Sequence, residues 1–468
     1  MGAMKKYALH ERQNGDYMQI LSINDIVKAT SGKIICGSDK GVIHAITTDS
    51  RQADKDVLFI PLKGERADGH DYIPSALDKG AVSISEREID SDKTVIKVAD
   101  TRLALGDIAR YYKAKYVVPT VSITGSVGKT TTKDLVYAVI AEKYKTHKTP
   151  NNFNNDIGVP LTVFGIEKEH EAAVIEMGMN HFGEISHLAG IVKPDVAIIT
   201  NIGMSHIENL GSQEGIFKAK MEITENFTDA NTLIVNGDDK FLGNISDTPY
   251  KLVKFGMSDT NDVYAKDIEN KGLSGMDFTV VHPDGEFRCS LKQPGEHNIY
   301  NALASVCAGL NMGLAEFEIA RGIENCVYTS SRLEISEHNG MEIINDCYNS
   351  SPDSVRAALK VMTNTLKSRR VAVLGDILEM GEYAKDAHFD LGKTVKDMGI
   401  NFLITAGSNA KYIADGAKSS GMENVVSYTT TDELVSDINN LVKPDDCILV
   451  KASHGMEFYK VTEAIKAI

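Results

Sequence analysis

Residues 121–132 read Val-Ser-Ile-Thr-Gly-Ser-Val-Gly-Lys-Thr-Thr-Thr. An apolar, β-branched run at Val121 and Ile123 ends in Gly125 and Gly128, and Leu135, Val136, Val139 and Ile140 then recur at helical spacing. That order is strand, glycine turn, helix start. Glycines let backbone N–H groups approach phosphate oxygens closely, and the helix dipole favours negative charge at that point. Lys129 is spaced to reach the β/γ phosphates, and the Thr130 hydroxyl to hold Mg²⁺. Gly125, Ser126, Val127, Gly128, Lys129, Thr130 and Thr131 are therefore the candidate cradle for a nucleoside triphosphate. The longer pattern Gly-x-x-x-x-Gly-Lys-Thr would need glycine at position 123, where Ile123 stands. The chain carries the shorter form, Gly125-x-x-Gly128-Lys129-Thr130.

Outward from the turn, strand candidates recur at Ala173–Glu176, Val196–Thr200 and Thr232–Asn236, with helical patterns between them. Near-continuous apolar runs of this kind suit a parallel sheet covered on both faces. From 250 to 293 the runs look hairpin-like, with Pro283-Asp284-Gly285 as a turn signal, and a helix is expected over Ile299–Leu310. Residues 20–100 carry short strands at Ile43–Thr48, Val57–Pro61, Val82–Ile84 and Thr94–Val98, with a helix over Tyr72–Lys79. After Ser330-Ser331 come strands at Met341–Asn345, Arg370–Leu374, Phe402–Thr405 and Cys447–Lys451. The fold class expected is α/β in three domains: a small α/β domain (1–115), a central P-loop domain with a parallel sheet (116–330) and a Rossmann-like domain (331–468). Ligands of doubly wound sheets bind outside the carboxyl ends of the strands.

Fifty Lys and Arg face 65 Asp and Glu, a net charge of −15, which argues against a nucleic-acid or anionic-membrane surface. Cys36, Cys289, Cys307, Cys326, Cys347 and Cys447 form no C-x-x-C pair and read as reduced thiols, not a disulfide frame or zinc site. No apolar run approaches the ~18 residues of a bilayer span, and the N-terminus shows no signal-peptide core, so a cytoplasmic protein without membrane insertion is expected. Gly2-Ala3-Met4 is set aside from the fold argument as a candidate expression scar.

Polar clusters follow several strands. Glu176 ends one of them and could hold Mg²⁺ opposite Thr130, or simply face solvent. His206, in Asn201-Ile-Gly-Met-Ser-His206, could be a ligand or an acid/base group, although a loop histidine is as readily structural. Lys220 lies on a helix expected over Glu214–Asn226, where a lysine is ordinarily a solvated charge. The amide-rich loop Asn151–Asn155 suits either recognition of a polar ligand or turn and cap duty. Asn298 and Asn301 could cap a helix or read a base. Arg332 suits phosphate and Asp346 suits ribose hydroxyls.

As an ordered set these residues resemble the Mur ligases, the ATP-dependent amide-forming enzymes of peptidoglycan precursor synthesis. The resemblance runs through Asp49-Ser-Arg51, Leu58–Glu65, Gly125–Thr131, Asn151–Thr162, Glu176–His181, Asn201–Leu210, Lys220-Met-Glu-Ile, His297–Asn301, Arg332-Leu-Glu, Asp346-Cys-Tyr-Asn and Leu374–Gly381. It implies two Mg²⁺ ions, one on Thr130 and Glu176 and one on His206 and a carbamylated Lys220. It implies adenine near Asn298 and Asn301, phosphates near Arg332 and ribose near Asp346. Ser50 and Arg51 would meet the UDP end of the substrate, and Asn154 and Asn155 its peptide arm. Leu-Gly-Asp-x-Leu-Glu-Met-Gly favours addition of a dipeptide, and the resemblance implies joining D-alanyl-D-alanine to UDP-N-acetylmuramoyl-tripeptide through an acyl phosphate. A monomer is expected. Lys129, Lys220, His206 and Glu176 would carry the chemistry.

Two departures from the family pattern fall in the third domain: Ser351 before Pro352 where asparagine is frequent, and Lys451-Ala-Ser-His454 where arginine commonly ends the segment. Rival readings are a Mur-type ligase with another acceptor, a folylpolyglutamate synthetase-like enzyme, or a nucleotide-binding protein without catalysis.

Overall fold

The computed structural model describes residues 18–468; residues 1–17, including Gly2-Ala3-Met4 and the start of the domain expected over 1–115, lie outside the described residues. The described chain divides into two compact units, and neither is one continuous stretch.

The first unit takes the chain up to Ser122 together with Tyr144–Gly178 and Glu184–Asp195. Its five-stranded sheet runs Lys33–Cys36, Val95–Lys97, Val82–Ser85, Val57–Phe59, Ala45–Thr47. The last four strands are parallel, and Lys33–Cys36, which has no counterpart among the strands expected, closes one edge antiparallel. Phe59, Ile73, Ala76, Leu77 and Val95 fill the core between this sheet and the helix Ile73–Asp78. The helix Thr101–Lys115 starts where the Asp100 carboxylate accepts from the N–H groups of Arg102 and Leu103. In the same unit Thr146–Lys148 pairs parallel with Ala172–Glu176.

The second unit comprises Ile123–Lys143, Met179–Gly183 and Val196–Ile468. The strand Thr120–Thr124 leads into it and ends at the glycine turn, and the helix Lys129–Ile140 follows. Val196–Ile199, Thr232–Asn236, Lys251–Gly256 and Val263–Asn270 lie side by side and parallel. Met276–His282 and Gly285–Leu291 extend this run as an antiparallel hairpin closed by Pro283 and Asp284. The hairpin reading of 250–293 thus holds from 263 onward, where Val263–Asn270, Met276–His282 and Gly285–Leu291 pair antiparallel in succession, and fails only for Lys251–Gly256, which pairs parallel with Val263–Asn270. The helix expected over Glu214–Asn226 is shorter, Gln213–Met221, and tightens into a 3₁₀ turn at Glu222–Thr224.

The six-stranded sheet runs Glu334–His338, Met341–Asn345, Asp446–Lys451, Arg369–Gly375, Phe402–Ala406, Val425–Tyr428. All neighbours are parallel except the first pair. Its central strands are buried on both faces, which is why they read as unbroken apolar runs. The last strand in sequence inserts beside Met341–Asn345, with Asn345 opposite Val450. That register sets Asp346 beside Lys451 at the carboxyl ends of two neighbouring strands.

Candidate active site

Gly125 has φ 150°, and a Cβ on it would fall 1.8 Å from Thr200 Oγ1. Only glycine fits there. The turn is held by the loop that follows the strand Val196–Ile199. Thr200 Oγ1 donates to Val127 O at 2.6 Å, and Ser126 N donates to Asn201 O at 3.1 Å. The Asn201 side chain accepts from Val127 N at 2.9 Å and donates to Val127 O at 3.1 Å. Gly203 N donates to Ser126 Oγ at 2.9 Å. Lys129 curls back so that Nζ donates to the carbonyls of Gly125 and Ser126 at 2.8 and 3.3 Å. The helix Lys129–Ile140 begins at Gly128 (φ 87°) without a side-chain cap, so its first N–H groups and the lysine form one positive concavity.

Asn301 and Asn298 stand behind this turn. Thr132 Oγ1 donates to Asn301 Oδ1 at 3.1 Å, Asn301 Nδ2 to Asn298 Oδ1 at 2.9 Å, and Asn298 Nδ2 to Pro294 O at 2.8 Å. A Cβ on Gly128 would lie 2.6 Å from Asn301 Oδ1. Both amides therefore spend donors and acceptors on bracing the glycine turn.

Lys220 sits at the end of the helix Gln213–Met221, which Ser212 caps. It is 1% exposed. Burial, with a smaller contribution from the nearby Lys129 charge, pushes its ammonium well below the ordinary lysine value of 10.5. His206 adopts φ 62° at the start of the short helix Ile207–Leu210. Its Nδ1 lies 2.5 Å from Glu379 Oε2, at ion-pair distance but outside hydrogen-bond alignment. Contact with His206 holds the Glu379 carboxyl below its usual range.

Arg332 Nη2 donates to Thr130 Oγ1 at 3.1 Å, and its guanidinium covers the Tyr348 ring at 4.0 Å. Arg332 Nε is buried without a hydrogen-bond partner. His454 lies 5.6 Å from the same tyrosine, ring to ring. Asp346 accepts from Leu333 N at 3.1 Å and from Lys451 Nζ at 2.5 Å, and Lys451 also donates to Asn349 O at 3.0 Å. This ion pair is nearly dry, since Lys451 is 2% exposed. Lys451→Met strands the Asp346 carboxylate and should cost about 3–5 kcal/mol in urea unfolding. The double variant with Asp346→Asn should regain most of that loss.

The remaining expected residues lie in the first unit. Glu176 is buried, and its Oε1 accepts from Asn154 Nδ2 at 2.8 Å. Asn155 Oδ1 accepts from Gly158 N at 2.8 Å, in the turn that leads into the helix Gly158–Phe164. Arg51, largely exposed, forks onto Asp49 at 2.8 and 3.0 Å through Nε. Ser50 O accepts from Lys79 Nζ at 2.9 Å.

Sequence reasoning brought Thr130, Lys129, His206, Lys220 and Arg332 forward. It gave no role to Thr200, whose hydroxyl dictates Gly125, or to Glu379. Glu379 stood inside a quoted motif, but its partner lies far away in sequence. Among the described residues no group of three or more His, Cys, Asp or Glu side chains forms a metal cage. A cation here would draw on hydroxyl and phosphate oxygens as well.

Residues 42–113 match the Mur ligase family catalytic domain, 123–309 the Mur ligase middle domain, and 331–454 the Mur ligase glutamate ligase domain. The UDP-N-acetylmuramoyl-tripeptide–D-alanyl-D-alanine ligase of Bacillus subtilis (strain 168) is 37% identical over 91% of this chain and 93% of that protein. The enzyme of the same name from Escherichia coli (strain K12) is 31% identical over 91% and 94%. A crystal structure of MurF from Acinetobacter baumannii superposes with a TM-score of 0.90 at 31% identity, over 97% of this chain and 100% of that one. The Thermotoga maritima MurF structure in complex with ADP gives 0.81 at 27% identity, over 90% and 97%. With three matching domains in order and relatives aligned over nine-tenths of its length, the chain belongs to the Mur ligase family.

Proposed function

We infer that the chain is an ATP-dependent, ADP-forming ligase that joins D-alanyl-D-alanine to UDP-N-acetylmuramoyl-tripeptide. The acceptor follows from relatives of that name aligned over nine-tenths of the chain. The single structural observation that carries the chemistry is a lysine buried to 1% exposure near the lysine of a phosphate-binding turn.

A buried cation next to another cation is costly unless the group changes its charge. The uncharged amine is the form that adds CO₂, losing a proton and becoming a carbamate. We assign Lys220 this modification. Its carbamate oxygens and His206 would hold one Mg²⁺, and Thr130 and Glu176 the other. Hydroxyl, carboxylate and carbamate oxygens suit a hard cation, so the donor set fits. Bound there, magnesium supplies charge neutralisation at the transferred phosphoryl group.

The reaction then runs in two steps. A carboxylate oxygen of the tripeptide attacks the γ-phosphorus, and the bond to ADP breaks. The amine of the dipeptide attacks the acyl carbonyl, loses a proton, and phosphate leaves. Lys129 and the first N–H groups of its helix stabilise the phosphoryl oxygens. Arg332, held flat on Tyr348, presents its remaining donors to phosphate, while Asp346 takes ribose. Asn298 and Asn301 keep Gly128 in place on the adenine side. Ser50 and Arg51 would receive the UDP end, Asn154 and Asn155 the peptide arm. We propose domain boundaries at 115/116 and 330/331; every strand of the six-stranded sheet lies beyond residue 331, which supports the second, whereas the compact units interleave across the first. Among the described residues no helix is long and apolar enough to cross a membrane. The six cysteines form no disulfide, which fits the reducing cytoplasm we propose as the enzyme's compartment.

Phosphate release from MgATP with UDP-N-acetylmuramoyl-tripeptide should require D-alanyl-D-alanine and yield the pentapeptide mass. Release without the dipeptide would point to another acceptor, and ATP binding without release to a non-catalytic protein.

A further inference from the structure

We propose that Glu379 is a positioning residue for His206, its carboxylate fixing the imidazole by way of Nδ1 so that Nε2 faces the reacting site. The inference rests on the reading of His206 as a metal ligand. Four observations carry it.

The two residues meet from separate elements: His206 follows the strand Val196–Ile199, and Glu379 follows the strand Arg369–Gly375. Both are non-glycine residues with left-handed backbone, φ 62° and 60°. An L-residue adopts that conformation at a cost that surrounding structure must offset. An incidental surface pair would not need it at both ends.

The loop that carries Glu379 is held from behind. Asp376 Oδ1 accepts from the N–H groups of Asn409 and Ala410 at 3.0 and 2.6 Å. Ile377 N donates to His388 Nε2 at 3.0 Å, and Leu378 N donates to Ser453 Oγ at 3.0 Å. Three successive residues are thus spent on anchoring, and the next one points at His206.

The far side of the loop is fitted as well. Gly381 lies so close to Glu208, two residues beyond His206, that a Cβ would come within 3.1 Å of its side chain. The acid and the histidine cannot slide past each other without moving that contact.

Finally, the nitrogen at 2.5 Å from the carboxylate is Nδ1, which leaves Nε2 as the donor atom for a ligand. Histidines that ligate metals characteristically give their other ring nitrogen to a carboxylate or carbonyl, and loss of that partner weakens metal affinity about 10- to 100-fold.

The test is Mn²⁺ binding by EPR to the full chain with saturating ADP, for wild type, Glu379→Ala, Glu379→Gln, His206→Ala and the double alanine variant. Glu379→Ala should weaken the site that His206→Ala weakens, by about ten-fold or more. Glu379→Gln, which keeps a side-chain oxygen next to Nδ1, should lose less, and the double variant should be no weaker than His206→Ala alone. Unchanged Mn²⁺ binding in Glu379→Ala, with loss in His206→Ala, overturns this inference and spares the role of His206. No loss in His206→Ala removes the metal role and the inference with it. Imidazole ¹⁵N spectra give a metal-free readout: Nδ1–H should dominate in the wild type and mix with Nε2–H in Glu379→Ala. Wild-type ring signals in a folded Glu379→Ala also overturn the proposal.

Discussion

Lys220→Ala should lower ligase turnover by at least about 1,000-fold, equivalent to about 4 kcal/mol of transition-state stabilisation. The side chain is buried and feels the Lys129 charge, so its removal would take away the carbamate oxygens proposed for it. Short carboxylic acids added to this variant should restore part of the rate, because they can occupy the vacated space with the same oxygens. Wild-type turnover in Lys220→Ala would remove the role. The same residue sets a pH dependence of stability in CO₂-free buffer. Unfolded, it titrates near 10.5; folded, well below. Between those two values the unfolded chain binds the extra proton, so native stability rises with pH across that window and falls toward neutrality. Lys220→Met should flatten this slope and raise stability at pH 7, as read by urea unfolding at two pH values.

Gly125→Ala should abolish ATP binding while leaving a folded protein with lowered stability. The added methyl would meet Thr200 Oγ1 at 1.8 Å, and φ 150° is strained for alanine. Relief requires moving Thr200, whose hydroxyl holds Val127 O, and with it the hydrogen bonds from Asn201 that shape the turn. Nucleotide titration by calorimetry should show a loss of at least about 100-fold. Pairing the change with Thr200→Ala should recover part of the affinity, because the clash goes while the backbone strain stays. Full affinity in Gly125→Ala alone would mean that the turn does not carry the phosphates.

What the sequence disclosed was local. The glycine turn, its strand and its helix were legible because each rests on contiguous residues of the right size and spacing. The strands Thr232–Asn236 and Met341–Asn345 matched residue for residue, since each carries a short buried core of β-branched and other apolar residues, Leu233–Val235 and Ile343–Ile344, between polar residues. Direction was not legible: Lys251–Gly256 and Val263–Asn270 carry turn signals like those of a hairpin yet pair in parallel. Nor were partners that depend on register. Asp346 meets Lys451 across 105 positions only because Asn345 falls opposite Val450. Lys220 was the plainest case: its spacing alone made it an ordinary helical lysine, only the family resemblance singled it out, and the burial that lowers its proton affinity depends on the tertiary fold. Asn298, Asn301 and Asn155 were visible as polar candidates, but the sequence did not show how much of their hydrogen-bonding capacity goes to bracing turns.

The threading of the chain through its two units bears on synthesis. The first unit includes Tyr144–Gly178 and Glu184–Asp195 as well as the described residues before Ile123. At about 5–20 residues per second a ribosome takes roughly 4–15 s to pass from Ser122 to Asp195. During that interval the nascent N-terminal segment is emerging without the later stretches that pack within its unit, so those contacts can form only after Asp195 has been made.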